Sequence, residues 1–446
     1  MKAHWHYSTA DLLAYLDEDT EVVDVAAVAV AVTSCATCAE RLRDLEGLGR
    51  LIKGQDTWDE ADGPVTQLPS IMHVLTESDR IAREKRLAER DFAALREEPF
   101  EMWSAYFLAH PEARTEGLAR YIIGAAIAEL DRRPAYALAL LDAVDAFAAE
   151  LSDWHSQLEC RSDAWKNRAN ALRMLGRYEE ALDATVTAER FAKAIPTGAF
   201  LLAQIVYTRG TVLFKMGRFA DAIVSARDAS LRFAEYGDTA RVIHARNLEA
   251  IALTEQGDVA EGLRVYLLIA RQLEHGEDAQ MAARVAENIA VAHRRLGAYN
   301  DARAYAHAAQ EQYLKLGAAS EIIRVDWTLG LIDLQTGETA AGLARLRTAA
   351  AAFETLDMVA DAGFVKLALT EELLRIEEWS EAGMMAAQAA ETFARAGAKL
   401  HLTTALSFLR EAVQQRSATV ELVQYVRDYV TADEEDRRFE PPSRVQ

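Results

Sequence analysis

The residues with the clearest capacity for chemistry are two cysteines near the amino terminus, Cys35 and Cys38. Their two-residue spacing lets both thiolates reach one zinc ion or, when oxidised, form a disulfide. A structural zinc site needs four nitrogen or sulfur ligands, and His6 and His4 lie upstream of the pair. Three alternatives follow: a zinc site, a redox-sensitive disulfide, and a metal-free helical module in which the cysteines have no role.

The rest of the chain carries no pattern typical of catalysis. It has no glycine-rich phosphate loop, no Gly-x-Ser-x-Gly and no His-Glu-x-x-His sequence. His155 and Cys160 are five residues apart, but a buried thiol beside a half-exposed imidazole is an ordinary outcome in a helical protein. We therefore expect no enzymatic activity and no cofactor apart from the zinc.

The composition restricts the classes of partner. The 446 residues are 51% hydrophobic and carry a formal net charge of −21, which disfavours nucleic acid and anionic membrane surfaces as partners. The longest Ala/Val run, residues 25–32, is too short to cross a bilayer. With three cysteines and no visible leader segment, the sequence predicts a cytoplasmic protein.

The elements that position any site are internal repeats. A short phrase recurs six times at intervals of 40 or 41 residues, with copies that begin at Gly176, Gly217, Gly257, Gly297, Gly337 and Glu377. Such a fixed period predicts a solenoid in which each unit packs only on its neighbours. Apolar and small residues on both sides of each phrase predict two helices joined by a tight turn. Small residues at the close contacts recur with the same period, at Ala169, Gly210, Ala250, Ala290 and Gly330.

Residues 114–400 resemble the tetratricopeptide repeat. The matching residues of one unit are, in order, Trp165, Ala169, Leu172, Tyr178, Ala181 and Ala188. The resemblance implies an all-α, right-handed superhelical solenoid of about seven helical hairpins. The period exceeds the usual 34 residues, and six extra residues shared by two helices lengthen each by about 4.5 Å.

In that fold the first helix of each unit lines a concave groove. Projected onto this chain, the groove contains Lys166, Asn170, Arg173, Tyr207, Thr211, Lys215, His244, Asn247, Arg284, Asn288, Arg294, Arg295, Arg324 and Trp327. Asn side chains can bond both backbone groups of an extended peptide, and Lys or Arg can hold a carboxylate. The basic residues favour an acidic segment as partner, and a purely solvated face is the alternative. A chaperone-type carboxylate clamp matches only at Lys166 and Asn170.

The amino-terminal module is similar to the zinc-binding anti-sigma domain. The similarity rests on residues 13–17, on Cys35 and Cys38, and on Leu42. It implies that Cys35, Cys38 and His6 bind zinc and that a sigma factor is the partner, although Ala31 stands where the family has a further histidine. Residues 28–32 alternate as a strand would, but without a partner strand nearby we predict a helix.

The predicted organisation has six parts: a zinc-finger-like helical module at residues 1–52, a linker at 53–75, connecting helices at 76–113, the solenoid at 114–400, capping helices at 401–432 and a polar tail at 433–446. The predicted function is a regulatory adaptor. Its groove binds a protein or peptide segment, and its amino-terminal module contacts the transcription machinery. The alternatives are a plain assembly scaffold and a sensor gated by zinc or oxidation.

Overall fold

The fold is all-α in every part of the chain that the structure describes. This computed structural model describes residues 85–196, 198–273, 278–395, 400–432 and 439, together with positions 12, 15, 28, 29, 32, 39, 42 and 43. Every regular element within these residues is helical, which confirms the predicted fold class. The chain divides into two compact units, Met1–Thr208 and Arg209–Gln446.

The first unit contains the connecting helices and the first hairpins. A helix at residues 85–96 precedes the labelled elements. These are α1 (Trp103–Ala109), α2 (Glu116–Glu129), α3 (Pro134–Ala148), α4 (Trp154–Met174), α5 (Tyr178–Lys193) and the start of α6 (Ala199–Lys215). The helices α2 to α5 pack consecutively, each on the next.

The second unit continues the same order of helices. It contains α7 (Phe219–Glu235), α8 (Thr239–Gln256), α9 (Val259–Leu273), α10 (Ala279–Arg295), α11 (Tyr299–Leu316), α12 (Ala319–Gln335), α13 (Thr339–Thr355), α14 (Val359–Arg375), α15 (Trp379–Arg395), α16 (Leu400–Gln414) and α17 (Val420–Ala432). Both α12 and α13 have 17 residues. With a three-residue turn after each helix, this hairpin accounts for the 40-residue period.

The repeated phrase forms the turn inside each hairpin. Its glycine adopts a left-handed conformation, with φ of 73° at Gly176 and 89° at Gly337. The next amide then reaches back to cap the preceding helix, as where Glu338 N donates to Asp333 O at 2.8 Å. This is the Schellman arrangement, in which a residue without Cβ is favoured. In the last copy Glu377 holds the same conformation, with φ of 62°.

Replacing Glu377 by glycine is expected to stabilise the protein. A left-handed conformation costs a residue with a Cβ about 1–2 kcal/mol. Glycine avoids this cost, but its greater conformational freedom in the unfolded chain offsets part of the gain. We expect Glu377→Gly to raise the free energy of unfolding by about 0.5–1 kcal/mol in urea titrations. The matched change Gly337→Ala should lower the free energy of unfolding by a similar amount. A change in the same direction for both variants would contradict this interpretation.

Small residues allow the two helices of a hairpin to approach closely. Ala169, Ala250 and Ala290 are fully buried, and a Cβ on Gly330 would lie 3.1 Å from Arg345 Cβ. The opposing helix carries a matching Gly342, where a Cβ would lie 2.7 Å from Gly330 O. The periodic small residues are therefore contact points between helix backbones, as the sequence predicts.

The amino-terminal segment is described at only eight positions. Leu12, Val28 and Leu42 are buried together, and Tyr15 and Val32 pack against them. All five are helical, so the helix predicted over the valine-rich segment is confirmed at Val28 and Val32. Cys35, Cys38, His6 and Ala31, and the predicted linker and tail, lie outside the described residues, apart from Phe439 in the tail.

The last helix packs in a way that the repeat does not predict. In the second half of α14, one of the first helices of the second unit, residues 365–371 and 373–374 are all buried. The cause is α17, which contacts α14 directly. Val423, Val426 and Tyr429 of α17 are buried in the same apolar cluster as Leu367. One side of α14 is thus covered by the carboxy-terminal helix.

Candidate functional site

The first helices α8, α10 and α12 each have one buried side and one side partly open to solvent. In α12, Val325 and Leu329 are buried, whereas Arg324, Trp327 and Leu331 are half-buried. We call the partly open side of α8, α10 and α12 the first-helix face. Its members are His244, Asn247, Arg284, Asn288, Arg294, Arg295, Arg324 and Trp327, all of them predicted groove residues.

Side chains on this face connect one first helix to the next. Asn288 Nδ2 donates to Asn247 Oδ1 at 3.1 Å, across 41 residues of sequence. Arg295 donates to Thr254 O at 3.0 Å and to Glu255 Oε1 at 2.7 Å. These contacts hold α8 and α10 in register and show that residues one period apart are spatial neighbours.

Several donors on the face lack an acceptor within the described part of the chain. Arg284 is exposed and forms no ion pair or hydrogen bond there. Arg294 Nε and Trp327 Nε1 are both shielded from solvent and have no hydrogen-bond partner among the described residues. A buried donor without an acceptor is costly, and the exposed guanidinium of Arg284 is directly accessible to a ligand that supplies oxygen atoms.

Arg324 and Asn247, like Asn288 and Arg295, are already engaged by the protein itself. Arg324 lies 3.6 Å from Glu287 Oε1 and 3.3 Å from Glu321 Oε1. Asn247 is 7% exposed, and its amide oxygen accepts from Asn288. These side chains contribute mainly to the shape of the face.

Burial also changes the charge state of the face. It lowers the pKa of His244, an effect that Asp278 opposes and Arg284 reinforces. It raises the pKa of Glu287, against the influence of Arg324 and of Tyr313, whose hydroxyl donates to Glu287 at 2.8 Å. His244 is therefore a neutral hydrogen-bonding group at pH 7, and arginines supply the positive charge.

The shifted His244 predicts a pH dependence of stability. Because its folded pKa lies below the unfolded value of about 6.5, the unfolded state binds the proton first as pH falls. Protonation linked to His244 should therefore lower the free energy of unfolding as pH falls from about 6.5 through the lower folded pKa. The variant His244→Gln should show a smaller loss of unfolding free energy between pH 7 and pH 5 in urea titrations. An unchanged slope would contradict the assignment.

The carboxy-terminal helix closes the face at α14. Glu371, 7% exposed at its side chain, accepts from Gln424 Nε2 and Arg427 Nη1 of α17, both at 2.8 Å. Arg375 contacts the same carboxylate at 2.5 Å. The equivalent positions one and two periods earlier, Leu331 and Val291, are half-buried. The open part of the face thus ends where α17 begins.

The remaining predicted groove residues lie on α4 and α6. Lys166 Nζ contacts Asp163 Oδ1 at 2.6 Å and Gln204 Oε1 at 2.8 Å. Asn170 and Arg173 are half-buried, burial lowers the pKa of Arg173, and Arg173 Nε has no partner in the described residues. Tyr207 and Thr211 are half-buried and Lys215 is exposed, and each takes part in an interaction.

Sequence reasoning missed the contribution of α17. Glu371, Gln424 and Arg427 come together across 53 and 56 residues, a separation that matches no multiple of the period. The apolar residues of α17 indicated a capping helix, but nothing in the repeat indicated which surface it covers. Its polar residues at 424 and 427, one helical turn apart, were the available signal.

The structure offers no other centre for chemistry among the residues it describes. No cluster of three or more His, Cys, Asp or Glu side chains able to hold a metal occurs within them. Burial raises the pKa of the Cys160 thiol to about 12, so this cysteine is protonated and unreactive at neutral pH. None of the described helices is long and apolar enough to cross a lipid bilayer.

Comparison with solved structures places the repeat geometry among known proteins. Aspartyl phosphate phosphatase F from Bacillus subtilis aligns over 88% of this chain and 96% of its own, at 12% identity and a TM-score of 0.53. The fold is a solenoid of tetratricopeptide-type hairpins. The apo quorum sensor NprR from B. thuringiensis aligns over 75% of this chain and 99% of its own, at 14% identity and a TM-score of 0.50.

A second structure of NprR, in complex with its cognate peptide NprX, also aligns with this solenoid. It covers 78% of this chain and 98% of its own, at 15% identity and a TM-score of 0.50. No protein-family model and no curated protein sequence matches the chain. At these identities the comparison establishes a shared architecture, and the residues of the first-helix face must be interpreted on their own chemistry.

Proposed function

We propose that this protein is a cytoplasmic regulatory adaptor whose first-helix face in Arg209–Gln446 binds a peptide or an extended protein segment. The observation that carries the proposal is the set of donors on this face without acceptors in the described chain: Arg284, Arg294 Nε and Trp327 Nε1. An extended peptide presents carbonyl and carboxylate oxygens along its length, which are the groups these donors require.

The charge of the face favours an acidic or carboxylate-bearing segment. Arg284 and Arg294 are on α10, and Arg427 of α17 lies at the closed end. Within a chain of net charge −21, a local group of arginines attracts anionic partners and repels basic ones. The complex of NprR with its cognate peptide, in a protein of similar architecture, supports a peptide as the kind of ligand.

A peptide-retention experiment tests this proposal. The full-length protein is incubated with a pool of random hexapeptides, and retained peptides are identified by mass spectrometry after ultrafiltration. We expect the wild type to retain a defined subset and the variant Arg284→Gln/Asn288→Ala to retain it at least about tenfold less, since two ligand contacts are lost. The control Arg264→Gln changes an exposed arginine of α9 that pairs with Glu261. No retention by the wild type, or equal retention by both variants, would reject the proposal.

The proposed role of the amino-terminal module is separate. We infer from its sequence similarity that residues 1–52 contact a transcription-machinery partner such as a sigma factor, with zinc held by Cys35, Cys38 and His6. Metal analysis of purified protein addresses this directly. About one equivalent of zinc, lost on Cys35→Ser, would support a zinc-dependent module. Zinc-free protein with a Cys35–Cys38 disulfide would favour redox sensing, and zinc-free reduced protein a plain scaffold.

A further inference from the structure

One arginine of the first-helix face has no anionic partner. Arg294 is in the last turn of α10, where its Nη1 lies 3.5 Å from Gln335 Oε1, the outer limit of a hydrogen bond. Its Nε is shielded from solvent and has no acceptor in the described residues. A guanidinium that has lost water on burial requires an acceptor in its place.

Both positive and negative side chains lie within electrostatic reach of Arg294. Burial lowers its pKa to about 10, and the neighbouring Arg295 and Arg427 reinforce this effect. Glu371 of α14 lies within electrostatic reach and opposes it. Arg294 is thus within electrostatic reach of Glu371 on α14 and of Arg427 on α17, at the closed end of the face.

The carboxylates near this point are bound to other cations. Glu255 accepts from Arg295 Nη2 at 2.7 Å. Glu371 accepts from Arg375, Gln424 and Arg427, and Glu372 contacts Arg375. In the described part of the chain, none of these carboxylates forms an ion pair with Arg294. The positive charge of Arg294 is left without a direct counter-ion.

We propose that Arg294 binds a carboxylate of the peptide ligand, at the end of the first-helix face that α17 closes. The inference rests on the proposed peptide-binding function and names the group recognised. The planar guanidinium offers paired N–H groups that match the two oxygens of a carboxylate. A monoanion fits better than a phosphate dianion because Glu371 and Glu372 are close and would repel the second charge.

The carboxylate can be the peptide's own terminus or an Asp or Glu side chain, and two pools of peptides distinguish these sources. Full-length protein is offered a random hexapeptide pool with free carboxy termini and the same pool with amidated termini. With terminal recognition, the wild type retains the free-acid pool about tenfold more. With side-chain recognition, it retains Asp- or Glu-containing peptides from both pools. In either case Arg294→Gln should abolish the preference, and Arg264→Gln should leave it unchanged.

Arg294→Gln could also act through the fold, and thermal unfolding separates the two effects. Removing a buried cation without a counter-ion should leave the melting temperature of the free protein equal to or above that of the wild type. The rise in melting temperature produced by the retained peptides should be lost in Arg294→Gln and partly kept in Arg294→Lys, which preserves the charge. If Arg294→Gln retains the same peptides as the wild type and to the same extent, this inference is overturned while the proposed function stays intact. Absence of any retention would reject both.

Discussion

Replacing Arg303 and Arg345 together by methionine is expected to lower the free energy of unfolding by about 3–5 kcal/mol. Both arginines bind one carboxylate, Asp333 of α12, with Arg303 Nη1 at 2.7 Å and Arg345 Nε at 2.9 Å. The Asp333 side chain is only 2% exposed. Methionine retains the apolar volume of the arginine stems, so the loss reports on the charge left buried and unpaired. Urea or guanidinium titration measures it.

A third substitution isolates that cause. Adding Asp333→Leu to the double variant removes the buried charge, and we expect most of the lost stability to return, since an apolar replacement of a buried ion cluster is often neutral. A double variant that loses less than about 1 kcal/mol would mean that Asp333 does not depend on its two partners. Failure of the triple variant to recover would assign the loss to packing.

The second large effect is expected at Gly342. An alanine Cβ there would lie 2.5 Å from Leu334 Cγ and 2.7 Å from the backbone oxygen of Gly330. A backbone oxygen cannot move aside without separating α12 from α13, so we expect Gly342→Ala to destabilise the protein by about 2–3 kcal/mol. Denaturant titration of the full-length chain provides the measurement.

Gly383 supplies the matched control for this prediction. It lies inside α15, where an added Cβ would meet only Val413 Cγ1 at 3.7 Å, an ordinary contact. Glycine inside a helix is less favourable than alanine by about 0.5–1 kcal/mol, so Gly383→Ala should stabilise slightly. Destabilisation by both variants to the same degree would show that the close approach at Gly342 is not the cause.

The architecture could be predicted from the sequence because local chemistry repeats with a fixed period. The left-handed glycines, the small residues at positions such as Ala169 and Gly330, and the apolar stripes all specify the same hairpin, and each is a short-range signal. The face occupied by the predicted groove residues follows from helical periodicity once the hairpin is known.

The details of the face could not be predicted in the same way. Whether an arginine has an ion-pair partner depends on its rotamer and on neighbours one period away. Arg294 and Arg295, on the same helical turn, differ in this respect. The docking of α17 on α14 depends on a contact between segments more than 50 residues apart, for which the repeat provides no template. The zinc ligands predicted at Cys35, Cys38 and His6 stay a prediction.

The docking of α17 has a consequence for how this chain can change in length. The pairing of Arg427 with Glu371 joins the last turns of α14 to the middle of α17, with α15 and α16 between them, so the contact constrains the number of residues in that segment. A duplicated 40-residue unit placed before α14 would leave that spacing intact. The same duplication placed between α15 and α16 would carry Arg427 away from its carboxylate. Gain or loss of units is therefore tolerated on the amino-terminal side of α14 and disfavoured beyond it.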